Sequence, residues 1–367
     1  MHEEYMLRAI ELARKGEGSC HPNPKVGAVI VSGGRIIGEG YHARCGELHA
    51  ERNAIASLTE SAEGATMYVT LEPCCHYGKT PPCTQAIIEN KIALVVIGSR
   101  DPNPLVAGRG VSRLRAAGIE VIEDFMRSEC DALNRVFFHF ITTGKPYVRL
   151  KYAMTADGKI ATRTGASKWI TGEDARKRVH ELRNADMAIM AGIGTVIADD
   201  PVLNCRSEGG CDPTRVILDS RLKIPLGSRI VRTADHIDTI IAAAVPDAAK
   251  EKQLAEHGVR VMYMPGDDGR VDVKALLDEL GREKIDSVLV EGGSTVNMSM
   301  LATGYVSEVD MFIAPKIFGG TACSPVGGEG IAVPDEAYGF SFNSVERLGD
   351  DMLIVMTPKE RLCSREL

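Results

Sequence analysis

The chain has 367 residues, of which 44% are hydrophobic and 25% charged. That composition is typical of a folded protein with an ample core, and it excludes a disordered or fibrous chain. The 43 basic and 50 acidic residues give a net charge of −7, which argues against a protein that follows a nucleic-acid backbone. The longest apolar runs, 93–97 and 240–245, are much shorter than the roughly 20 residues of a membrane-spanning helix.

The chain opens with Met1-His2-Glu3-Glu4, which is acidic and polar where a secretion signal would be basic and then apolar. We therefore expect a cytoplasmic protein. Its ten cysteines are then better explained as free thiols or metal ligands than as a disulfide framework, because the cytoplasm keeps thiols reduced.

A length of 367 residues favours two domains. Gly144 and Pro146 end a helical pattern, and a β-branched and aromatic strand begins at Tyr147. We therefore predict two domains, 1–145 and 146–367. The first contains 16 basic and 17 acidic residues and the second 27 and 33, so neither domain is basic.

Helical patterns alternate with strand-like runs in both predicted domains, which indicates an α/β architecture. In the first domain we predict helices at 4–15, from 49, 83–90, 109–117 and 126–143, and strands at 26–31, 35–40, 66–71, 94–97 and 120–122. In the second we predict strands at 147–153, 187–191, 214–218, 239–243, 260–264, 287–291 and 308–313, helices at 247–257, 271–280 and 294–302, and a final hairpin of 340–348 and 352–356.

The first domain contains the residue types of a catalytic zinc site. His49 and Glu51 form a His-x-Glu pair, and Cys74 and Cys83 follow downstream. One imidazole and two thiolates leave the fourth zinc position open for water, and a glutamate that is not a ligand can carry protons. The pattern therefore predicts hydrolytic deamination.

The loop between the two cysteines departs from the usual deaminase spacing of two residues, because eight residues intervene. A structural zinc knot completed by Cys75 or His76 is the alternative, but it leaves Glu51 without a role. The loop reads Pro-Cys-x-His-x-Gly-Lys-Thr-Pro-Pro-Cys, and His-Pro-Asn-Pro precedes it at 21–24. With these motifs, the whole first domain resembles the deaminase half of the bifunctional riboflavin-biosynthesis family usually called RibD. Cys75 stands where that family often has serine.

This resemblance implies a cytidine-deaminase-like three-layer domain that acts on a diaminopyrimidinone carrying ribose 5-phosphate. Zinc would bring the pKa of its water toward ~7, and Glu51 would move the protons. The resemblance also implies substrate contacts by Asn23, His42, His76 and Lys79. Asn23 suits the pyrimidine edge because an amide is both donor and acceptor, and the other three suit the ribose phosphate. Each could equally be an ordinary solvated side chain.

The second domain contains a candidate phosphate-binding turn at 287–297. A buried strand is followed by Gly292 and Gly293 and then by a helix start with hydroxyl residues. Free amides at such a helix start bind phosphate, and glycine allows close approach. The turn is not a Gly-x-Gly-x-x-Gly fingerprint, and a glycine pair here could serve packing alone.

Four further segments, 151–160, 167–171, 191–206 and 216–220, resemble the reductase half of the same family. From Pro146 nearly to the C-terminus, the resemblance implies a dihydrofolate-reductase-like α/β domain that uses NADPH to reduce a ribosylamino group to ribitylamino. It implies cofactor contacts by Ala153, Trp169, Thr195, Asp199, Ser220, Gly293, Ser294, Thr295, Val296 and Asn297. It implies substrate contacts by Ser167, Arg183, Leu203, Arg206 and Glu291.

Lys151 and Glu291 are the ionisable residues expected nearest the reduction, as proton donor and orienting partner. Lys151 could instead be a strand lysine that extends to solvent, and Glu291 a partner of the helix dipole. Arg183 and Arg206 suit bidentate phosphate binding in an otherwise acidic domain.

Two other functions stay open at this point. One is a deaminase of bases in tRNA or single-stranded DNA with a fused nucleotide-binding domain, and the other is a non-catalytic zinc module fused to a nucleotide-sensing domain. The near-neutral charge of the first domain and its long cysteine loop favour a small-molecule substrate. We expect zinc and NADPH as cofactors, no nucleic-acid or membrane partner, and assembly into a homo-oligomer.

Overall fold

A computed structural model describes residues 2–77, 81–103 and 106–359. The chain divides into two compact units between Gly144 and Lys145. Within the described ranges, no helix combines the length and the apolar character needed to cross a membrane.

The first unit contains six helices and five strands in its described residues. They are α1 (His2–Arg14), β1 (Gly27–Ser32), β2 (Arg35–Tyr41), α2 (Ala50–Ala56), β3 (Thr66–Leu71), α3 (Cys83–Glu89), β4 (Leu94–Ser99), α4 (Arg109–Ala116), β5 (Glu120–Ile122), α5 (Arg127–Leu133) and α6 (Arg135–Thr143). The strand order is β2-β1-β3-β4-β5. Strand β1 pairs antiparallel with β2 and β3, whereas β3, β4 and β5 run parallel.

Alternating side chains of the first sheet bury its two faces in separate cores, as the two-residue period of a strand requires. In β1, Ala28 and Ile30 face a core shared with helices α2, α3 and α4. Val29 and Val31 face the opposite core, which contains the buried side of α1 and part of α5. The first unit is therefore a three-layer α/β structure.

The single helix predicted at 126–143 is wrong, because two helices, α5 and α6, meet at Asn134. Asn134 leaves helical geometry at φ −120° and ψ 25°. Its side chain accepts from the backbone nitrogen of Lys25 at 2.8 Å and donates to the carbonyl of Lys25 at 2.9 Å. The helix is interrupted where this asparagine binds the chain entering β1.

The second unit contains a sheet of nine strands in its described part. Its elements are β6 (Tyr147–Thr155), α7 (Glu173–Ala185), β7 (Ala188–Gly192), α8 (Ile193–Asp199), β8 (Thr214–Leu218), α9 (Arg229–Arg232), β9 (Thr239–Ala243), α10 (Ala248–Ala255), β10 (Val259–Tyr263), α11 (Val273–Arg282), β11 (Ser287–Val290), α12 (Ser294–Thr303), β12 (Val306–Ala314), a 3₁₀ turn (Pro334–Glu336), β13 (Phe340–Leu348) and β14 (Asp351–Pro358). Helices α7, α8 and α9 were not predicted from the sequence.

The strand order of this sheet is β10-β9-β8-β7-β11-β6-β12-β14-β13. Strands β6 to β12 are parallel, and β14 and β13 add to the sheet in antiparallel pairing. Helices α11 and α12 cover one face, while α8, α9, α10 and part of α7 cover the other. Parallel strands place all their carboxyl ends at one edge, which is where ligands bind in open α/β sheets.

Candidate active sites of the two units

Three metal-ligating side chains of the first unit converge at the carboxyl end of β3. His49 immediately precedes α2, Cys74 follows β3, and Cys83 is the first residue of α3. His49 Nδ1 lies 3.6 Å from Cys74 Sγ and 3.5 Å from Cys83 Sγ. In the part of the chain that the structure describes, these residues form the one group of three or more His, Cys, Asp or Glu side chains close enough to share a metal.

The spacing of these three ligand atoms fits a tetrahedral zinc ion. Zinc binds sulfur at about 2.3 Å and imidazole nitrogen at about 2.05 Å, so tetrahedral angles separate nitrogen from sulfur by roughly 3.5 Å. Hydrogen bonds from Cys83 and His49 lower the pKa of Cys74 to about 4. Cys74 is therefore predisposed to the thiolate form that a metal needs. Cys75 is half-buried and His76 is exposed, and neither belongs to the ligand group.

Glu51 lies in the first turn of α2 with only 3% of its surface exposed. Burial, together with the charge of Cys74, raises the pKa of Glu51 to about 7. A carboxyl group with a pKa near neutrality can both accept and return a proton, which is what a general acid-base catalyst requires. The buried Glu51 beside three possible metal ligands fits a catalytic group better than a closed structural site.

Asn23 and His42 adjoin this group. Asn23 Nδ2 lies 3.0 Å from His42 Nε2, and the ring of His42 packs edge-on against that of His49 at 5.4 Å between centroids. Burial lowers the pKa of His42, whose Nδ1 faces the carbonyl of Leu48 at 3.1 Å. The lowered pKa favours the uncharged form of the His42 ring. The fourth predicted substrate residue, Lys79, lies outside the described residues.

Two buried acids beside this site were missed by the sequence analysis. Glu72 accepts hydrogen bonds from the backbone nitrogens of Gly108, Gly110 and Val111, so it caps the start of α4. Asp101 is 8% exposed, and burial raises its pKa to about 6, with Glu72 adding to the effect. The one available sequence signal is that Glu72 and Asp101 follow the neighbouring strands β3 and β4.

An ionic group lies at the carboxyl edge of the second sheet. Lys151 on β6 donates to Glu291 Oε2 at 3.0 Å. Arg183 on α7 donates to Glu291 Oε1 at 2.7 Å and to Oε2 at 3.0 Å. All three side chains are less than 15% exposed. The structure therefore brings together three residues predicted for the reduction.

Two of the other predicted substrate residues, Leu203 and Arg206, lie in a segment that contacts this group. Arg183 also donates to the carbonyl of Asn204 at 3.0 Å, which ties it to the segment containing Leu203 and Arg206. Leu203 is buried and has a positive φ of 54°, an unusual backbone geometry for leucine. Arg206 is exposed and Ser167 is half-buried, and within the described ranges neither side chain forms a hydrogen bond or ion pair with Glu291.

The two glycines after β11 have different surroundings. A Cβ at Gly292 would lie 2.6 Å from Val296, so this position needs glycine for packing. At Gly293 no described atom lies within 4 Å of a Cβ position, so the start of α12 is open. Ser294, Thr295 and Val296 form the first turn of α12, and Asn297 Oδ1 is buried without a hydrogen-bond partner among the described residues. This arrangement fits a cofactor phosphate at the helix start.

The remaining predicted cofactor residues lie near the carboxyl ends of their strands. Ala153 is near the end of β6, Thr195 and Asp199 belong to α8 after β7, and Ser220 follows β8. The side chain of Trp169 is 65% exposed. Lys168 Nζ donates to the backbone carbonyl of Asp199 at 3.2 Å. This hydrogen bond links α8 to the segment that contains Trp169.

Two family models match the chain, one in each unit. The "Cytidine and deoxycytidylate deaminase zinc-binding region" matches residues 1–99, and the "RibD C-terminal domain" matches residues 146–354. The riboflavin biosynthesis protein RibD of Actinobacillus pleuropneumoniae is 52% identical over 96% of this chain and 94% of its own length. RibD of Escherichia coli K12 is 40% identical over 96% of this chain and 98% of its own.

Solved structures agree with these matches over both units. A diaminohydroxyphosphoribosylaminopyrimidine deaminase/5-amino-6-(5-phosphoribosylamino)uracil reductase of Thermotoga maritima is 42% identical, with a TM-score of 0.88 over 98% of this chain and 99% of its own. RibD of Acinetobacter baumannii, form 2, is 38% identical, with a TM-score of 0.87 over the same shares. The predicted fold class, both activities and both cofactors are thereby confirmed. The chain belongs to the RibD family of bifunctional deaminases and reductases of riboflavin biosynthesis.

Proposed function

We propose that residues 1–145 deaminate a diaminopyrimidinone carrying ribose 5-phosphate, and that residues 146–367 then reduce its ribosyl group to ribityl with NADPH. The convergence of His49, Cys74 and Cys83 beside the buried Glu51 carries the first half of this proposal. The contact of Lys151 and Arg183 with Glu291 supports the second half.

In the deamination, His49, Cys74 and Cys83 would hold zinc, which supplies a Lewis acid that makes water reactive near neutral pH. Glu51 takes a proton from the attacking water and passes it to the ring nitrogen beside the amino-bearing carbon. As the water oxygen bonds to that carbon, Glu51 takes the second proton, from the added hydroxyl, and passes it to the amine. The carbon–nitrogen bond then breaks, ammonia leaves and a carbonyl forms. Asn23 would hold the pyrimidine edge, and His42, His76 and Lys79 would bind the ribose phosphate.

In the reduction, NADPH supplies the hydride for C1′ of the ring-opened sugar, whose double bond to nitrogen becomes a single bond. Lys151 donates the accompanying proton, and Glu291 orients Lys151 through the 3.0 Å contact. Arg183, Arg206, Ser167 and Leu203 hold the substrate. The cofactor would be held by Ala153, Trp169, Thr195, Asp199, Ser220 and the turn from Gly293 to Asn297.

The deciding experiment measures ammonia release from the diaminopyrimidinone ribose phosphate by zinc-loaded protein and then NADPH absorbance in the same tube. We expect ammonia first and NADPH oxidation only after deamination. Oxidation before deamination would contradict the order of steps. Bound zinc with neither signal would contradict the substrate, and release of ammonia from RNA or single-stranded DNA instead would favour a nucleic-acid base deaminase.

We also propose that the chain forms homo-oligomers through β13. This nine-residue strand is the edge of the second sheet, and it exposes Phe342 (72%) and Val345 (58%). An exposed apolar edge strand can pair with the same strand of a second copy in an isologous contact. Light scattering should show a dimer or larger assembly that Val345→Asp dissociates. A monomeric wild-type protein at micromolar concentration would refute the proposal.

A further inference from the structure

The segment containing Trp169 is held by cations from two other parts of the second unit, and its own Lys168 contacts a third part. Lys316, two residues beyond β12, donates from Nζ to the carbonyl of Trp169 at 2.8 Å and to that of Ile170 at 2.6 Å. A charged donor makes hydrogen bonds roughly twice as strong as a neutral one. One ammonium group therefore fixes two successive peptide units.

Arg176 and Lys168 also fix the segment that contains Trp169. The guanidinium of Arg176, on α7, lies 4.8 Å from the centre of the Trp169 ring, and Arg176 Nη1 donates to the carbonyl of Thr171 at 2.8 Å. Lys168 Nζ lies 3.6 Å from Asp199 Oδ1. The segment is thus fixed through its backbone, while the indole itself is 65% exposed.

The loop that carries Lys316 is itself anchored to the end of β6. Ala156 donates its backbone N–H to the carbonyl of Lys316 at 2.9 Å. Asp157 accepts from the backbone nitrogens of Phe318 at 3.1 Å and Gly319 at 2.7 Å. Lys316 therefore joins the end of β6, the strand that carries Lys151, to the segment that presents Trp169.

We propose that Lys316 is a positioning residue for the reductase cofactor, acting through the carbonyls of Trp169 and Ile170. An exposed indole is held by few packing contacts. The hydrogen bonds of Lys316 and the contact of Arg176 therefore fix the position of the indole, whose free face could contact a planar ring of the bound cofactor. Arg176 stacks against the indole ring, and Lys316 holds the backbone beneath it. When Trp169 is already fixed in the free protein, less conformational entropy is lost as the cofactor binds. This inference rests on the proposed cofactor role of Trp169.

The test uses the fluorescence of Trp169, which is the single tryptophan of the chain and so reports on this segment alone. The variants are Lys316→Met, Lys316→Arg and the matched control Lys252→Met, since Lys252 is an exposed lysine on α10. Each zinc-loaded protein is measured without ligand by acrylamide quenching and anisotropy, and then titrated with NADPH. Reductase KM for NADPH and kcat are determined in parallel, with ammonia release as an internal check.

Without ligand, Lys316→Met should make Trp169 more accessible to acrylamide and lower its anisotropy. The KM for NADPH should rise by about tenfold with a much smaller change in kcat, because ground-state and transition-state binding of the cofactor weaken together. Lys316→Arg should recover part of the affinity, since guanidinium can also donate to two carbonyls. Lys252→Met and every ammonia-release rate should match wild type.

Wild-type quenching and wild-type KM in Lys316→Met would overturn the proposal. If that variant unfolds, Lys316→Gln replaces it, and unchanged quenching and KM there overturn the proposal equally. Wild-type turnover of NADPH without any emission change at saturation would remove Trp169 from the cofactor site and the proposal with it. Absence of NADPH oxidation by the wild-type protein is a different result, because it contradicts the proposed reduction itself.

Discussion

Lys151 Nζ lies 3.0 Å from Glu291 Oε2, and Arg183 holds the same carboxylate through both of its oxygens. Burial alone would raise the pKa of Glu291, but the charges of Arg183 and Lys151 bring it well below its ordinary value. The carboxylate form of Glu291 is therefore favoured, and its contact keeps the amino group of Lys151 directed to one place.

Replacing Lys151 by methionine should abolish the reduction selectively. Removing a positioned proton donor slows such steps by about 10²–10⁴-fold, so NADPH oxidation should fall by that factor while ammonia release is unchanged. Stopped-flow absorbance of NADPH measures the first rate and an ammonia assay the second. Lys252→Met is the control, and a near-normal rate in Lys151→Met would refute the role of Lys151.

Replacing Glu51 by glutamine should abolish deamination and leave zinc bound. Glutamine keeps the shape of the buried side chain but cannot move protons, so ammonia release should fall by about 10²–10⁴-fold. Zinc content by mass spectrometry should stay at one per chain, and reduction of a previously deaminated substrate should continue. Normal ammonia release by this variant would exclude Glu51 as the proton carrier.

Zinc content should distinguish Cys74 from its neighbour Cys75. The ligand group contains Cys74 but not Cys75, so Cys74→Ser should lose most of its zinc and Cys75→Ser should retain it. Burial raises the pKa of Cys75, which makes this residue a poorer thiolate than Cys74. Retention of zinc by Cys74→Ser together with its loss from Cys75→Ser would reverse the assignment.

Arg215 should be essential for the stability of the second unit. Its guanidinium is fully buried and donates to Thr239, Thr233 and the carbonyls of Val202, Ile230 and Ile237. Arg215→Met would remove all of these hydrogen bonds, so we expect a loss of about 3 kcal/mol in the free energy of unfolding. Urea unfolding measures it, with the exposed Arg221→Met as control. Equal stability of the two variants would contradict this role of Arg215.

Asp310 should make the second unit less stable as the pH rises. Burial, with the neighbouring Glu308 and Asp186, raises the pKa of Asp310 from 3.8 to about 6 despite the nearby Arg149. The folded state therefore binds the proton more tightly than the unfolded state, and stability falls as the pH rises from 3.8 to about 6.

Asp310→Asn should remove this effect. Its melting temperature should exceed that of the wild type at pH 8, and the difference should shrink toward pH 4. Differential scanning fluorimetry across this range provides the measurement, with Asp350→Asn, whose side chain is 90% exposed in the wild type, as control. A variant less stable than the wild type at pH 8 would show that Arg149 needs the Asp310 charge.

Most strands could be predicted because burial on one or both faces leaves a local pattern, as in 66–71 and 214–218. Helix α7 could not, since Ala175 is its one fully buried residue and its other positions are mostly polar. The break at Asn134 was also unreadable, because its cause is a contact with Lys25, 109 positions away.

The same distinction, between a local pattern and a contact between distant residues, applies to the two candidate active sites. His49, Glu51, Cys74 and Cys83 form a motif whose chemistry is visible in the sequence. Lys316 has no such signal, because its contact with Trp169 joins residues 147 positions apart. Residues that belong to a local motif could be proposed from the sequence, whereas residues that contact the backbone of a distant segment could not.

Strand β6 lies inside the second sheet, between β11 and β12. This position affects the order in which the second unit can fold. Strand β6 pairs Tyr147 with Ser287 of β11 on one side and Val148 with Val306 of β12 on the other. During synthesis, β6 emerges about 140 residues before β11 and about 160 residues before β12. Neither edge of β6 can form these hydrogen bonds until those strands have been made. Pairing over such separations is slow and exposes aggregation-prone edges. The second unit can therefore complete its sheet only after β11 and β12 have been synthesised.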